Sequence, residues 1–204
     1  MTIDTEDLLN SILASLGRIE YIRPEDIPNI DLYMDQVTTF MDRKLRATTR
    51  YPEENKVLTK TMINNYAKND LLPPPVKKKY SKEHVLLLVF IYYYKSILSI
   101  NDIQSLLRPI TEQYFQNGKE FNLEALYREV FSMGDELVEG LKDDIKREYK
   151  LSEDMFENAP EENKEFLQKF GFICRLSFDV YVKKLLIEKL VDQLNDGQAD
   201  NEKE

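Results

Sequence analysis

The chain has 204 residues, of which 42% are hydrophobic and 32% are charged, and its formal net charge is −9. A hydrophobic fraction of this size excludes a globally disordered protein. Glycine occurs only six times, which argues against a sandwich or barrel with many tight turns and favours helices. The composition therefore predicts a mainly helical protein of one or two domains.

Single copies of cysteine and histidine limit the chemistry that the chain can perform. Cys174 has no second cysteine to pair with, which excludes a fold stapled by internal disulfides and fits a reducing cytoplasm. Because His84 lies far from Cys174 in the sequence, neither a catalytic triad nor a zinc site is expected. We therefore expect no enzymatic activity, no cofactor and no metal. We expect His84 at the surface or in an interface, and Cys174 in an apolar core.

Neither export nor membrane insertion is expected from the sequence. Residues 1–16 contain three acidic side chains and no basic one, whereas a signal peptide begins with a basic region. The longest strongly apolar run, 85–94, is too short to span a bilayer. These features predict a cytoplasmic protein that has no membrane partner.

Positive charge is concentrated in one segment of this acidic chain. Residues 43–82 contain eleven basic and three acidic side chains, so this segment carries +8 and the remainder carries −17. The local field governs what binds at a surface, so a basic segment can contact nucleic acid despite the negative total. The alternative interpretation is a charged face that is simply solvated.

Hydrophobic spacing predicts two helices in the first quarter of the chain. They cover residues 4–18 and 30–45. The segment between them contains Pro24 and Pro28 and is predicted to be a linker. The polar segment 47–56 is predicted to be a loop.

A third helix is predicted over residues 60–69. Thr59 is its expected N-cap, because a threonine hydroxyl can accept a hydrogen bond from a free backbone N–H of the first turn. The apolar face of this helix is formed by Met62, Ile63 and Tyr66. Three consecutive prolines at 73–75 prevent any continuation of the helix.

Two serines mark the starts of the next predicted helices. Ser81 is the expected cap of a helix over 82–97, in which Tyr92 and Tyr93 belong to the core face. Ser99 and Asp102 have the spacing of a capping box. The helix that follows is predicted to cover 100–107 and to end before Pro109.

The remaining sequence is acidic and retains a helical pattern. Long helices are predicted over 122–149 and 160–194, and the second has an apolar face too broad to remain in contact with water. Residues 197–204 are polar and are predicted to form a frayed tail.

A set of residues between 66 and 103 matches a known pattern of a helix end, a basic turn and a following helix. These residues are Tyr66, Leu71, Leu72, Pro73, Pro74, Lys78, Lys79, Tyr80, Ser81, Leu98, Ser99, Ile100 and Ile103. On these residues the chain resembles the winged helix-turn-helix of the MerR class. It is more closely similar to the domain-of-unknown-function family number eighteen-thirty-six, whose members are interpreted as bacterial transcriptional regulators. The resemblance covers residues 27–107.

The chain departs from the MerR pattern at several positions. Asn64 stands where the class usually has arginine, and Asp70 stands where it has a helix-capping glycine. The link 46–58 is much longer than the usual turn of three or four residues. The wing before Tyr80 is short.

The resemblance implies a mainly all-α fold that combines a winged helix-turn-helix domain, with a very short wing, and a C-terminal helical region. We assign residues 1–26 to an N-terminal helix and linker, and residues 27–110 to the winged helix-turn-helix. Residues 111–196 are assigned to an acidic helical region for dimerisation or interaction, and residues 197–204 to a disordered tail.

Candidate DNA contacts fall into three groups. The polar side of the third helix offers amide and hydroxyl groups, since asparagine can pair with adenine and threonine can contact the thymine methyl group; ordinary surface amides are the alternative. The basic turn and the end of the second helix offer phosphate contacts, which position a protein without reading sequence. The candidates are Thr59, Lys60, Thr61, Asn64, Asn65 and Lys68, then Lys77, Lys78, Lys79 and Tyr80, and finally Arg43, Arg46 and Arg50.

The sequence thus predicts a transcriptional regulator that binds double-stranded DNA. A homodimer formed through the C-terminal helices would read a palindromic or pseudo-palindromic operator. Repression is favoured over activation because no ligands of an effector pocket can be identified, and a small-molecule effector stays unknown. The alternative is a protein-interaction adaptor that keeps the winged-helix shape without binding DNA.

Overall fold

The computed structural model describes residues 5–16, 22–51, 53–54, 56–132 and 134–201. The helices are α1 (Thr5–Leu16), α2 (Met34–Leu45), α3 (Lys60–Lys68), α4 (Lys82–Tyr94), α5 (Ile100–Tyr114), α6 (Leu123–Phe131), α7 (Gly134–Glu153) and α8 (Glu161–Asn201). Short 3-10 turns cover Pro24–Asp26 and Arg46–Thr48. Strands β1 (Leu32–Tyr33) and β2 (Lys79–Tyr80) form an antiparallel two-stranded sheet. The mainly helical fold is therefore confirmed.

The chain divides into two compact units. The first unit comprises residues 1–20 and 132–187, and the second comprises residues 21–131 and 188–204. Residues 111–131, which the sequence assigned to the acidic C-terminal region, group with the second unit. The candidate DNA contacts all belong to the second unit.

Helix α4 is the centre of the second unit, because residues 84–91 are all buried. A helix that is apolar on every side requires neighbours on every side, whereas the sequence predicted a single core face. His84 is 1% exposed, so its predicted place at the surface was wrong. Tyr92 and Tyr93 are half-buried, and the Tyr92 hydroxyl lies 2.7 Å from Oγ1 of Thr48.

The predicted helix caps are confirmed. Oγ1 of Thr59 accepts a hydrogen bond of 3.2 Å from the backbone N–H of Met62. The Ser99 hydroxyl accepts from the N–H of Asp102, and Oδ2 of Asp102 accepts from the N–H of Ser99, at 3.2 and 3.1 Å. These caps can be recognised from the sequence because every atom in them lies within three residues.

At the end of α3 a residue other than glycine adopts a left-handed backbone conformation. The sequence indicated this, since Asp70 stands where the MerR class has a helix-capping glycine. Asp70 has φ of 53°, and the N–H of Leu71 donates to the carbonyl of Tyr66 at 2.9 Å. This turn directs Leu71 and Leu72 into the core, where both are buried.

Three predicted helix limits were wrong. Helix α4 ends at Tyr94 rather than at residue 97. Helix α2 begins at Met34 rather than at residue 30, because Leu32 and Tyr33 pair with β2. Helix α5 continues through Pro109 to Tyr114. Proline at this position removes one N–H donor, a loss that the surrounding helix accommodates, and the Thr111 hydroxyl donates to the Leu107 carbonyl at 2.8 Å.

The acidic half also differs from the prediction. The helix predicted over 122–149 is two helices, α6 and α7. Helix α8 has 41 residues and extends to Asn201, into the segment predicted to be a disordered tail; residues 202–204 lie outside the described part of the chain.

In the first unit, α7 packs along α8. The Tyr149 and Phe172 rings meet edge to face at 5.5 Å between centroids. Nε of Arg175 donates to Oε2 of Glu148 at 2.5 Å. Cys174 is exposed, so its predicted place in a core was wrong. Among the described residues, no helix is both long and apolar enough to cross a membrane.

Candidate nucleic-acid interface

A tight hairpin turn presents two lysine side chains at its tip. The N–H of Val76 donates to the carbonyl of Lys79 at 3.1 Å, and the N–H of Lys79 donates back to the carbonyl of Val76 at 2.9 Å. The two residues between them, Lys77 and Lys78, have φ of 50° and 65°. Positive φ at both central positions is the requirement of a type I′ turn, which normally carries Asn-Gly.

Lysine is a poor choice for these two positions on conformational grounds. A left-handed backbone costs an L-residue about 1–2 kcal/mol. Lys77 and Lys78 are both exposed, so neither side chain gains packing in return. Strain of this kind is concentrated at functional positions, where the side chain is needed for something other than stability.

The two residues of strand β2, Lys79 and Tyr80, point their side chains to opposite faces of the sheet. Lys79 pairs with Tyr33 and Tyr80 pairs with Leu32, and successive side chains of a strand point to opposite faces. Nζ of Lys79 lies 5.2 Å from the centre of the Tyr33 ring. Tyr80 is 2% exposed, and burial raises its pKa. Its prediction as a DNA contact was therefore wrong.

Helix α3 turns an uninterrupted polar face outward. The exposed side chains on it are Lys60, Thr61, Asn64, Asn65 and Lys68. Their spacing of three or four residues places them side by side on the helix surface. Ile63 and Tyr66 are buried beneath them, but Met62 is 38% exposed, so it does not belong to the core face predicted for it.

The start of α2 connects the basic turn to the start of α3. Nζ of Lys60 forms an ion pair with Oδ1 of Asp35, while Lys79 lies over Tyr33. Tyr33 and Asp35 are two residues apart, so Lys60 and Lys79 flank the same helix start. Neither Tyr33 nor Asp35 is among the contacts predicted from the sequence; the signal is an exposed aromatic and an acidic side chain next to the short strand.

The long link between α2 and α3 is fixed at several points. Its last residues, Val57 and Leu58, are buried. Nζ of Lys95 donates to the Val57 carbonyl at 3.0 Å, and half-burial lowers the pKa of Lys95. Together with the contact between Thr48 and Tyr92, these bonds hold α3 in a defined position although the link exceeds an ordinary turn.

The three arginine candidates differ in their surroundings. Arg43 is exposed. Arg46 donates twice to Oδ2 of Asp42, from Nε at 3.0 Å and from Nη2 at 2.5 Å. The guanidinium of Arg50 lies 5.4 Å from the centre of the Tyr51 ring. Arg46 is thus engaged by Asp42 of α2, whereas Arg43 is presented to solvent.

A polar groove of about 520 Å³ lies between α2 and the start of α3. Its lining includes both charges and several hydroxyl groups: Asp35, Thr38, Thr39, Asp42, Arg46, Lys56, Leu58, Thr59, Lys60 and Thr61. Oδ1 of Asp42 is buried there and accepts no hydrogen bond. Within the described residues, no group of three or more His, Cys, Asp or Glu could hold a metal ion.

Comparison with known protein families gives a match over the second unit. The family model described as Domain of unknown function (DUF1836) matches residues 22–130, just over half of the chain. No curated protein and no solved structure matches the chain. The matched segment contains the basic turn, α3 and the central helix α4, and its two ends are joined by the Tyr127 hydroxyl, which donates to the Ile22 carbonyl at 2.7 Å.

Proposed function

We propose that this chain, which belongs to the DUF1836 family, is a DNA-binding transcriptional regulator whose helices α2 and α3 and β1–β2 ribbon act as a winged helix-turn-helix of the MerR type. The element order supports this proposal. A strand precedes the first helix and pairs with the strand that follows the second helix, so a two-stranded wing lies beside the helix pair.

The carrying observation is the Lys77–Lys78 turn. Two lysines occupy backbone positions that favour glycine and asparagine, and both are exposed. A DNA phosphate beside each ammonium group would explain why lysine is retained at these two positions although its backbone conformation is strained. Such contacts supply affinity and strong salt dependence without reading the sequence.

Sequence readout is assigned to the exposed face of α3. In a helix-turn-helix the second helix enters the major groove and presents its side chains to base edges. Asn64 and Asn65 can each form a bidentate pair with adenine, and Thr61 can contact a thymine methyl group. Lys60 and Lys68, about 12 Å apart along the helix, are assigned to phosphates on either side of the groove.

The regulator acts in the cytoplasm as a homodimer on a palindromic or pseudo-palindromic operator. Two copies reading half-sites about one helical turn apart gain specificity that one small domain lacks. Repression is the simpler form of control, because occupation of the operator is sufficient for it.

A protein-interaction adaptor is the second candidate. The observation that favours it is internal neutralisation of part of the basic surface, since Lys60 pairs with Asp35 and Arg46 pairs with Asp42. An adaptor would use the same exposed α3 face to bind an acidic or amide-rich protein surface.

Fluorescence anisotropy separates the two functions. The purified protein is titrated with a labelled duplex from its own upstream region and with a scrambled duplex, across a salt series. We expect tight binding to the first duplex only, with affinity falling steeply as salt rises. Lys78→Ala should weaken binding to both duplexes and reduce the salt slope by about 1, whereas Lys119→Ala, at an exposed lysine outside the site, should change neither.

Two results would count against DNA regulation. Equal and weak binding to both duplexes would leave only general electrostatic attraction. Absence of binding at low salt would overturn the proposal and favour the adaptor.

A further inference from the structure

Helix α8 carries a row of exposed apolar side chains at intervals of four residues. The row consists of Phe166, Phe170, Cys174, Phe178 and Val182. Residues four apart lie side by side on a helix, so the row forms a continuous ridge. All five side chains are exposed, the three phenylalanines to between 52% and 69%.

The apolar area on this face is large for a surface in contact with water. Phe166, Phe170, Phe178 and the adjacent Tyr181 are between 52% and 69% exposed. At about 200 Å² per aromatic side chain, they present roughly 500 Å² together. A standard interface buries about 800 Å² on each partner. These four rings therefore supply more than half of what a stable dimer needs.

A groove beside the row continues the same apolar surface. It lies between α7 and α8, has a volume of about 560 Å³, and includes Leu141, Ile145, Phe178 and Val182 in its lining. The lining also contains six charged side chains, two of which, Arg175 and Glu148, pair with each other at 2.5 Å. Apolar residues make up half of the groove's lining, as at the edge of a helix-bundle core.

The order of the residues in the row identifies the occupant. Counting four residues from Cys174 in either direction leads to a phenylalanine, Phe170 or Phe178. Counting eight leads to Phe166 or Val182, again apolar on both sides. A two-fold axis through Cys174 brings each member opposite an apolar member of a second copy, which is the self-complementarity that an isologous interface requires.

Charge along α8 selects the relative direction of the two helices. The first turn is acidic, with Glu161 and Glu162, and Lys183 and Lys184 follow the row. A parallel pair would place each of these charges beside its own copy, which is repulsive. An antiparallel pair centred on Cys174 instead keeps the two acidic starts, and the two pairs of lysines, at opposite ends of the contact, so that neither set of charges meets its own copy.

We infer that α8 pairs antiparallel with α8 of a second copy of this chain, with the two-fold axis at Cys174 and with the α7–α8 groove filled by the second copy's phenylalanines. Interdigitation of two rows spaced by four residues gives helices that cross at about 50°. The inference rests on the homodimer part of the proposed function and is independent of whether the dimer binds DNA.

The oligomeric state is the first test. Light scattering on the full chain should give twice the 24.1 kDa chain mass. Phe170→Asp should give a monomer with unchanged helical circular dichroism, because a charge would enter an apolar contact. Val130→Asp, at an apolar residue of α6 with similar exposure (56%), should remain dimeric. A monomeric wild-type protein, or a dimer that tolerates Phe170→Asp, would overturn the inference.

The register is tested by oxidation of the native cysteine. Diamide takes two protons and two electrons from two thiols, and one S–S bond forms. Since Cys174 is the only cysteine in the chain, any disulfide joins two copies. We expect most of the protein to run as a covalent dimer without reductant and to return to monomer with it. A dimer in solution that resists this cross-linking would overturn the register.

Direction is tested in a background that contains Cys174→Ser. Phe178→Cys alone should not cross-link, because positions 178 of the two copies would be separated by about 12 Å along the pair. A mixture of Phe178→Cys and Phe170→Cys proteins should form the heterodimeric disulfide. Cross-linking of Phe178→Cys alone would indicate a parallel pair and overturn the antiparallel direction. If these tests support the dimer but the anisotropy experiment shows no DNA binding, the dimer proposal stands and the proposal of DNA binding is wrong.

Discussion

The backbone N–H of Ser81 donates a hydrogen bond to Nδ1 of His84 at 3.0 Å, so the imidazole of His84 caps the start of α4 in the role that glutamate or glutamine plays in a capping box. An accepting Nδ1 places the proton of the neutral ring on Nε2. The ring is buried and meets Tyr80 and Phe115 edge to face, at 5.5 and 4.8 Å between centroids. The wing, α4 and the end of α5 therefore meet at one neutral histidine.

Stability should fall in mild acid because of this histidine. Burial lowers the pKa of His84 below the ordinary value of 6.5, against smaller opposing effects of Asp31 and of the Pro73 and Pro74 carbonyls. The unfolded chain then binds a proton that the folded chain excludes, so the free energy of unfolding decreases as the pH falls below about 6.5. Urea unfolding between pH 8 and pH 5 measures this decrease.

The variant His84→Gln provides the control for that pH series. A glutamine side chain does not titrate, yet its oxygen could accept from the N–H of Ser81. We expect His84→Gln to cost about 1 kcal/mol at pH 8, where the ring contacts are lost, and the difference from the wild type to shrink towards pH 5. A difference that stays constant with pH would show that His84 does not titrate in this range.

Replacement of Lys77-Lys78 by Asn-Gly should separate stability from binding. The new pair suits a type I′ turn, so we expect the free energy of unfolding to rise by about 1 kcal/mol. Loss of two phosphate contacts should reduce the salt slope of duplex binding by about 2. Chemical denaturation and anisotropy on the same preparation measure both effects, and the Lys119→Ala/Lys189→Ala double variant is the control for net charge. If duplex binding is unchanged, the Lys77–Lys78 turn does not contact DNA.

Base readout by α3 should appear as a loss of discrimination. Asn64→Ala or Asn65→Ala should narrow the gap between specific and scrambled duplex by about 1–3 kcal/mol. Lys68→Ala, on the same exposed face, should weaken binding to both duplexes equally because phosphate contacts carry no sequence information. Competition anisotropy at one salt concentration measures the affinity of each variant for the specific and the scrambled duplex. If the asparagine and lysine variants behave alike, the assignment of readout to Asn64 and Asn65 is wrong.

Tyr127→Phe should destabilise the second unit without affecting its charges. The lost hydroxyl leaves the buried Ile22 carbonyl without its hydrogen bond, which costs about 1–3 kcal/mol. Thermal unfolding measures the loss. Tyr51→Phe, at a tyrosine that is 50% exposed, should have no comparable effect.

Features determined by near neighbours in the sequence could be predicted, and those determined by distant neighbours could not. The Thr59 cap and the Ser99–Asp102 box are formed by atoms at most three residues apart, so the residue types were sufficient. The burial of His84 and Tyr80 depends on α5 and on β1, which the sequence pattern could not place beside them. Cys174 stands in an apolar stretch that resembles a core, yet within one chain its side chain is exposed.

In the candidate site, too, some features could be predicted from the sequence and others could not. The polar face of α3 follows from helical spacing alone. The positive φ of Lys77 and Lys78 could not be predicted although the turn is closed locally by Val76 and Lys79, because Lys-Lys is not a residue pair that a type I′ turn normally carries. The involvement of Asp35 depends on the tertiary approach of α3 to α2.

The hydrogen bond between Tyr127 and Ile22 has a consequence for how this segment can be used. Because it holds the two ends of the family's matched region together, chain can enter and leave that region at neighbouring points. A segment with adjoining ends can be transplanted into a loop of another protein, or fused to other helices, without being pulled open. Residues 22–130 thus have the adjoining ends that insertion into a loop of another protein requires.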